Sequence, residues 1–211
     1  MTLHVWLAFV AASVIMLLIP GPTVLLVIGD AMANGSRRAW ATVAGVGLGD
    51  LTSMSLSLAG AGALLRASAT AFTIMKTLGG LYLIYLGAKS ILKARSEATS
   101  ANPELMTRSE RGLTARFGKA YAITVLNPKS ILFFVAFVPQ FMSAQGSFLV
   151  QSGILLASFC CLSILNSSLY SLVAGMVGGR LLTPSAQSKV SYTGGCTLIG
   201  AGALALATKQ N

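Results

Sequence analysis

Two charged side chains lie deep inside apolar stretches of this sequence. Asp50 lies near the middle of one stretch, and Lys129 lies near the middle of another. A charge at the bilayer centre costs about 2.5–3.5 kcal/mol on insertion scales, so both residues are expected to face the protein interior or water. A carboxylate attracts an ammonium group, and a lysine attracts a carboxylate. Together they would suit a zwitterion; the alternative for Lys129 is an ion pair with Asp50 or a position at the membrane surface.

Prolines interrupt two apolar stretches near these positions. The first break is Pro20-Gly21-Pro22, and the second is Asn127-Pro128, directly before Lys129. Proline cannot donate a backbone hydrogen bond, so each break leaves carbonyl groups that lipid cannot satisfy. Asn127 is expected to satisfy some of these carbonyls or to point into a cavity. Broken helices in both halves of a chain are the best sequence indication of a transporter's binding site.

Small and polar residues accompany Asp50 at helical spacing, and a similar set recurs around Asn166 in a later stretch. Serines in such sets commonly join helices by hydrogen bonds worth about 0.6 kcal/mol each. We interpret the serines in this structural way, whereas Asp50 and Asn166 are candidate site residues. The two sets are Gly47, Asp50, Ser53 and Ser57 in the first stretch and Ser163, Asn166, Ser167 and Tyr170 in the second.

Composition indicates an integral membrane protein. Of the 211 residues, 55% are hydrophobic and 9% are charged, whereas a soluble domain has about 25% charged residues. The net charge of +10 does not indicate nucleic acid, because the basic residues lie at the ends of apolar stretches and in one polar loop. The single histidine, and three cysteines that lie inside apolar segments without the spacing of metal ligands, predict no metal site. The sequence lacks GxSxG, HExxH and P-loop motifs, so we expect neither an enzyme nor a cofactor.

Six apolar segments approach or exceed the length of about 20 residues that a membrane-spanning helix needs. The polar loop 93–117 divides them into a first three-helix repeat, 1–92, and a second, 118–211. We therefore predict an all-α integral membrane protein with six transmembrane helices, of which the first and fourth are broken. The segments lie at about 4–29, 39–65, 70–92, 118–142, 148–177 and 190–208.

Residue pairs shared by the third and sixth segments support this division. Gly79-Gly80, Leu83-Ile84 and Gly87-Ala88 recur 115 residues later as Gly194-Gly195, Leu198-Ile199 and Gly202-Ala203. Pro22 and Pro128 correspond at an offset of 106 residues. Because each half has three spans, the second repeat must be inverted, an arrangement that underlies alternating access in many carriers.

Charge asymmetry predicts the orientation of the chain. Lysine and arginine concentrate near 30–38, 89–119 and 178–189, which share one side of a six-span protein. The positive-inside rule makes this side cytoplasmic and places both termini in the periplasm. The glycine pairs Gly45/Gly49 and Gly175/Gly179 favour close helix packing and leave open whether it occurs within the bundle or in a homodimer.

The sequence resembles the LysE/RhtB family of amino-acid exporters. Its first 50 residues contain the family's PGP break and glycine-rich second span, KTLGGLYLIYLGAKSIL resembles the third span, and LNPKSILFFVAFVPQF resembles the fourth. The resemblance implies a bacterial inner-membrane carrier that exports amino acids or close derivatives using the proton gradient. It also places the family's candidate site at Pro20, Gly21, Pro22, Asn127, Pro128 and Lys129. The coupling role of Asp50 depends instead on the cost of placing a charge at the centre of the bilayer.

Two other functions are weighed against export of amino acids. A divalent-cation exporter would need a richer ligand set than the few acidic residues inside the spans. A structural partner subunit without transport activity would not need Asp50 or Lys129 at mid-membrane depth. The expected partners are therefore an amino-acid substrate, protons and the lipid bilayer.

Overall fold

The computed structural model describes residues 1–19, 21–96, 112–142 and 146–177, together with positions 192, 193, 195, 196, 199, 200 and 203. Helices make up nearly all of this part, and no strand occurs in it, which confirms the predicted all-α fold class. The helices are α1 (Leu3–Leu18), α2 (Pro22–Asn34), α3 (Trp40–Ala67), α4 (Ala69–Ser96), α5 (Leu113–Val125), α6 (Pro128–Ala136) and α7 (Phe148–Val177), with a 3-10 turn at Val138–Phe141.

Both predicted helix breaks are present. The axes of α1 and α2 differ by 57°, and those of α5 and α6 with its 3-10 turn differ by 48°. Pro22 and Pro128 each occupy the first turn of the helix that follows the break, where the missing N–H group costs no hydrogen bond. The two breaks thus have the same local construction, with Gly21 and Asn127 as the N-cap residues.

By length and apolar composition, one helix of the described part, Phe148–Met176, qualifies alone as a membrane span. Each broken pair also qualifies when its two helices are counted as one span, which makes three. Helices α3 and α4 have 28 residues each, about 42 Å of helix. Many large apolar side chains on the helix surfaces are exposed, among them Leu56, Leu149 and Met176, as expected where lipid is the solvent.

The first five predicted spans coincide with helices or broken helix pairs. Residues 97–111 of the predicted loop 93–117, and most of the sixth segment, lie outside the described residues, whereas 93–96 belong to α4 and 113–117 to α5. The number of six spans and the two inverted repeats therefore stay predictions.

Helix α3 contacts α5, α6 and α7, while α1 and α2 also pack on α7. The contact between α3 and α5 is close because glycines leave room for it. A Cβ atom at Gly49 would lie 2.7 Å from Cβ of Thr124, and one at Gly45 would overlap the carbonyl oxygen of Phe117. Gly45 and Gly49 therefore pack within the bundle.

Two groups of buried apolar residues flank the helix breaks. The larger group is aromatic: the rings of Phe133, Phe134 and Phe159 lie 4.8–6.0 Å apart and pack with Phe9 and Met54. The smaller group lies around α2 and consists of two clusters of Val, Ile and Ala side chains, one with residues of α2, α7 and the α2–α3 turn and one with residues of α2, α3 and α5. Buried apolar side chains therefore pack on both sides of the helix breaks.

Candidate functional site

A cavity lies where the two helix breaks meet. Its volume is about 30 Å³, enough for a few water molecules at most. Five of the predicted site residues line it, Pro22 and Pro128 begin the adjoining helices, and Pro20 lies outside the described residues. The lining consists of Met16, Leu17, Ile19, Gly21, Thr23, Val24, Val46, Asp50, Asn127, Lys129, Ser130, Ser163, Asn166 and Ser167.

The carboxyl end of α1 presents open carbonyl groups to this cavity. The last four carbonyls of a helix have no partner within it, and here the proline break ends the helix inside the bundle. The Lys129 ammonium group donates to the carbonyl oxygens of Met16 at 2.8 Å and Ile19 at 2.9 Å. A cation at this position also complements the negative end of the helix dipole.

The carbonyl groups of Leu17 and Leu18, which lie between those of Met16 and Ile19, accept hydrogen bonds from side chains of α7. The side-chain amide of Asn166 donates to the Leu17 carbonyl at 3.2 Å, and the Tyr170 hydroxyl donates to the Leu18 carbonyl at 3.0 Å. Side chains from α6 and α7 therefore satisfy all four terminal carbonyls of α1. Helical spacing places Asn166 and Tyr170 on one face of the helix, but only the fold brings them to the end of α1.

Asp50 reaches the cavity from α3. Its side chain is 3% exposed, and the Ser163 hydroxyl donates to its Oδ2 atom. Asp50 and Lys129 line the same cavity, but the described residues contain no direct ion pair between them. The structure thus places the two charges together without neutralising one by the other.

Asn127 connects the two breaks. Its Oδ1 atom accepts a hydrogen bond from the backbone N–H of Lys129 at 3.1 Å, which caps α6. Its Nδ2 atom donates to the Thr23 hydroxyl of α2 at 3.3 Å. Asn127 therefore lines the cavity, which is one of the two positions expected for it from the sequence. Its bond to the Lys129 N–H group fixes the position of Lys129.

Gly21 brings the first break close to Lys129. A Cβ atom at Gly21 would lie 3.9 Å from the Lys129 Nζ atom, which is ordinary van der Waals contact. The Lys129 ammonium group consequently lies between the carboxyl end of α1 and the amino end of α2, where helix N–H groups favour negative charge. The cavity can therefore offer acceptors to an ammonium group and donors to a carboxylate.

A second polar cluster, outside this lining, involves Asp30 and Arg116. Asp30 accepts hydrogen bonds from Asn34 at 2.9 Å and Thr42 at 2.6 Å, and its Oδ1 atom lies 3.6 Å from Arg116 Nε. Helix α2 ends just after this cluster, at Gly35, whose φ is 81°. The pairing with Arg116 was missed, because the charge pattern assigned that residue only to a basic loop.

Comparisons with known proteins indicate a family of membrane transporters. The family model of LysE type translocators matches residues 14–209. An "Uncharacterized membrane protein" of Vibrio cholerae serotype O1 is 30% identical over 210 residues, which is 100% of both chains. A "Leucine efflux protein" of Salmonella typhimurium is 31% identical over 169 residues, or 77% of each chain, and one of Klebsiella pneumoniae is 28% identical over 76% of each. No solved structure matches. The helix breaks, the apolar helices and these matches together show that the chain is a membrane protein of the LysE type translocator family.

Proposed function

We propose that this protein exports amino acids, with neutral aliphatic amino acids such as leucine as the first candidates. The observation that carries the proposal is the cavity in which Lys129, the terminal carbonyls of α1 and Asp50 meet. This set provides partners for both charges of a zwitterion. The relatives named leucine efflux protein support the same substrate class.

The apolar part of the lining supports an aliphatic side chain. Met16, Val24 and Val46 contribute hydrocarbon surface next to the polar groups, and small-molecule sites typically combine such surface with a few placed polar groups. A pocket that encloses an organic ligand has about 300 Å³ or more, so the cavity must enlarge when cargo binds. Export therefore includes a conformational change at the helix breaks.

Alternating access driven by protons is the mechanism that we infer. The cargo enters from the cytoplasm and binds at the breaks, the two halves rock to open the outer side, and Asp50 takes up and releases a proton. One charge moving through 100 mV supplies about 2.3 kcal/mol, or roughly a fiftyfold gradient. The proposed location is the bacterial inner membrane, with the central basic loop in the cytoplasm and both termini in the periplasm.

A growth assay tests the function against its alternatives. Cells that express the protein should resist a toxic leucine analogue, and cells that express a Lys129→Ala variant at the same level should not. Lys119, which is exposed on α5, provides the matched control, because Lys119→Ala should keep the resistance. Resistance to divalent metals instead would indicate a cation exporter, and no resistance of either kind would indicate a partner subunit.

A further inference from the structure

We propose that the Lys129 ammonium group occupies the binding position of the cargo's ammonium group. When an amino acid binds, its ammonium group replaces Lys129 at the carbonyls of Met16 and Ile19, and the released Lys129 pairs with the cargo's carboxylate. This inference deepens the proposed function and depends on it, since it assigns the two ends of the substrate to named groups.

The carbonyl set already binds an ammonium group. Lys129 Nζ contacts two backbone oxygens at 2.8 and 2.9 Å, and a substrate α-ammonium group carries the same charge and the same three donors. The neighbouring carbonyls of Leu17 and Leu18 are held by uncharged donors. Exchange is therefore needed only at the two carbonyls that Lys129 binds.

Lys129 can reach a carboxylate with little movement. Its ammonium group lies next to Gly21, at the amino end of α2, and Gly21, Thr23 and Val24 line the cavity at that end. A carboxylate bound there would accept from Lys129 and interact favourably with the helix terminus. Asn127 holds the Lys129 backbone during the exchange through its bond to the Lys129 N–H.

The exchange selects for zwitterions. A cargo that has only a carboxylate would draw Lys129 away and leave the α1 carbonyls without a donor, and buried groups without partners are costly. A cargo that has only an ammonium group would displace Lys129 without offering it a new partner. Only a molecule with both groups satisfies both sides.

Binding to the purified protein in detergent tests this assignment. Three unlabelled compounds are tested as competitors of labelled leucine. They are leucine itself, 3-methylbutylamine, which lacks the carboxylate, and 4-methylpentanoate, which lacks the ammonium group. In Lys129→Met the affinity for leucine should fall about tenfold to a hundredfold, the range expected for one hydrogen-bonded charged partner. The affinity for the amine should rise in the same variant, because its ammonium group no longer competes with Lys129. Because labelled leucine is the reporter, the amine is also measured directly by calorimetry.

The matched control is Lys119→Met, which should leave both affinities unchanged. Equal weakening of leucine and the amine in Lys129→Met would overturn the inference, because it would indicate a structural role for Lys129. If Lys129→Met does not fold, the same competition experiment on the wild-type protein tests the inference. Displacement by leucine alone supports the inference, and displacement by either single-charge analogue as effectively as by leucine contradicts it. A wild-type protein that binds no amino acid would instead overturn the proposed function itself.

Discussion

Asp30 and Asp50 are both acids within or at the end of apolar stretches, but their surroundings differ. Asp30 is bound by Asn34 and Thr42 and lies beside Arg116, so its charge is used to join α2, α3 and α5. Asp50 has the Ser163 hydroxyl as its hydrogen-bond partner and faces the cavity. Of these two acids, Asp50 is therefore the one that we propose as the proton-coupling group.

Replacement of the Asp50 carboxylate should separate transport from coupling. We expect Asp50→Asn to abolish proton-driven accumulation, which one proton at 100 mV could raise to roughly fiftyfold, while exchange of cargo partly survives. The measurement is uptake of labelled leucine into proteoliposomes with and without a proton gradient.

Ser163→Ala is the companion variant, because it removes the hydroxyl that binds Asp50 and keeps the carboxylate. This variant should retain accumulation. If Asp50→Asn accumulates leucine like the wild type, Asp50 is not the coupling group.

Individual residues of the cavity lining could be predicted where the signal is local. A charge or an amide inside an apolar stretch is visible in the sequence, which is why Asp50, Asn127, Lys129 and Asn166 were identified. The partner of each could not be predicted in the same way, because Lys129 lies 113 residues from Met16 in the chain. The role of the α1 carbonyls thus depends on the fold, since every residue has a carbonyl and the sequence does not mark which ones are open.

At the scale of elements, the glycines of α3 determine how closely the second span approaches the broken fourth span. Gly45 and Gly49 face α5, and Gly47 on another side packs against Ile164 of α7, whose Cγ1 atom lies 2.8 Å from a Cβ built at that glycine. This close approach holds Asp50 between the two repeats proposed from the sequence.

An alanine at Gly45 should weaken the α3–α5 contact. Its Cβ atom would overlap the backbone oxygen of Phe117 and lie 3.0 Å from Cβ of Ala120, so we expect a loss of about 1–3 kcal/mol in unfolding free energy. Gly60 is the control on the same helix, because nothing lies within 4 Å of its added Cβ. Gly60→Ala should gain up to about 1 kcal/mol from helix propensity.

Unfolding in a denaturing-detergent titration compares the two alanine variants. Equal stability would show that α3 and α5 can separate without cost, and would contradict the packing described here.

Helix breaks were predictable because proline acts on its own turn, and both Pro22 and Pro128 begin helices where the sequence indicated. The helix that packs against a GxxxG pair could not be predicted, because the spacing is the same within a bundle and between protomers. The structure assigns Gly45 and Gly49 to α5 of the same chain. Gly175 lies against Ser36, while Gly179 is outside the described residues.

At the scale of the whole molecule, the cavity lies between an aromatic group of residues and a smaller aliphatic group. The bonds from Lys129, Asn166 and Tyr170 to α1 join the first half of the chain to the second across it. Alternating access would require these bonds to exchange or break. The bond between Asp50 and Ser163 also joins the two halves of the chain.

Counterflow tests the central claim, that the cavity at the breaks carries an amino acid across the membrane. Proteoliposomes loaded with unlabelled leucine are diluted into labelled leucine, and uptake of label is followed for the wild type, Lys129→Met and Lys119→Met. We expect uptake by the wild type and by Lys119→Met, and strongly reduced uptake by Lys129→Met. Folded and inserted wild-type protein that shows no counterflow with leucine or any other amino acid would contradict it.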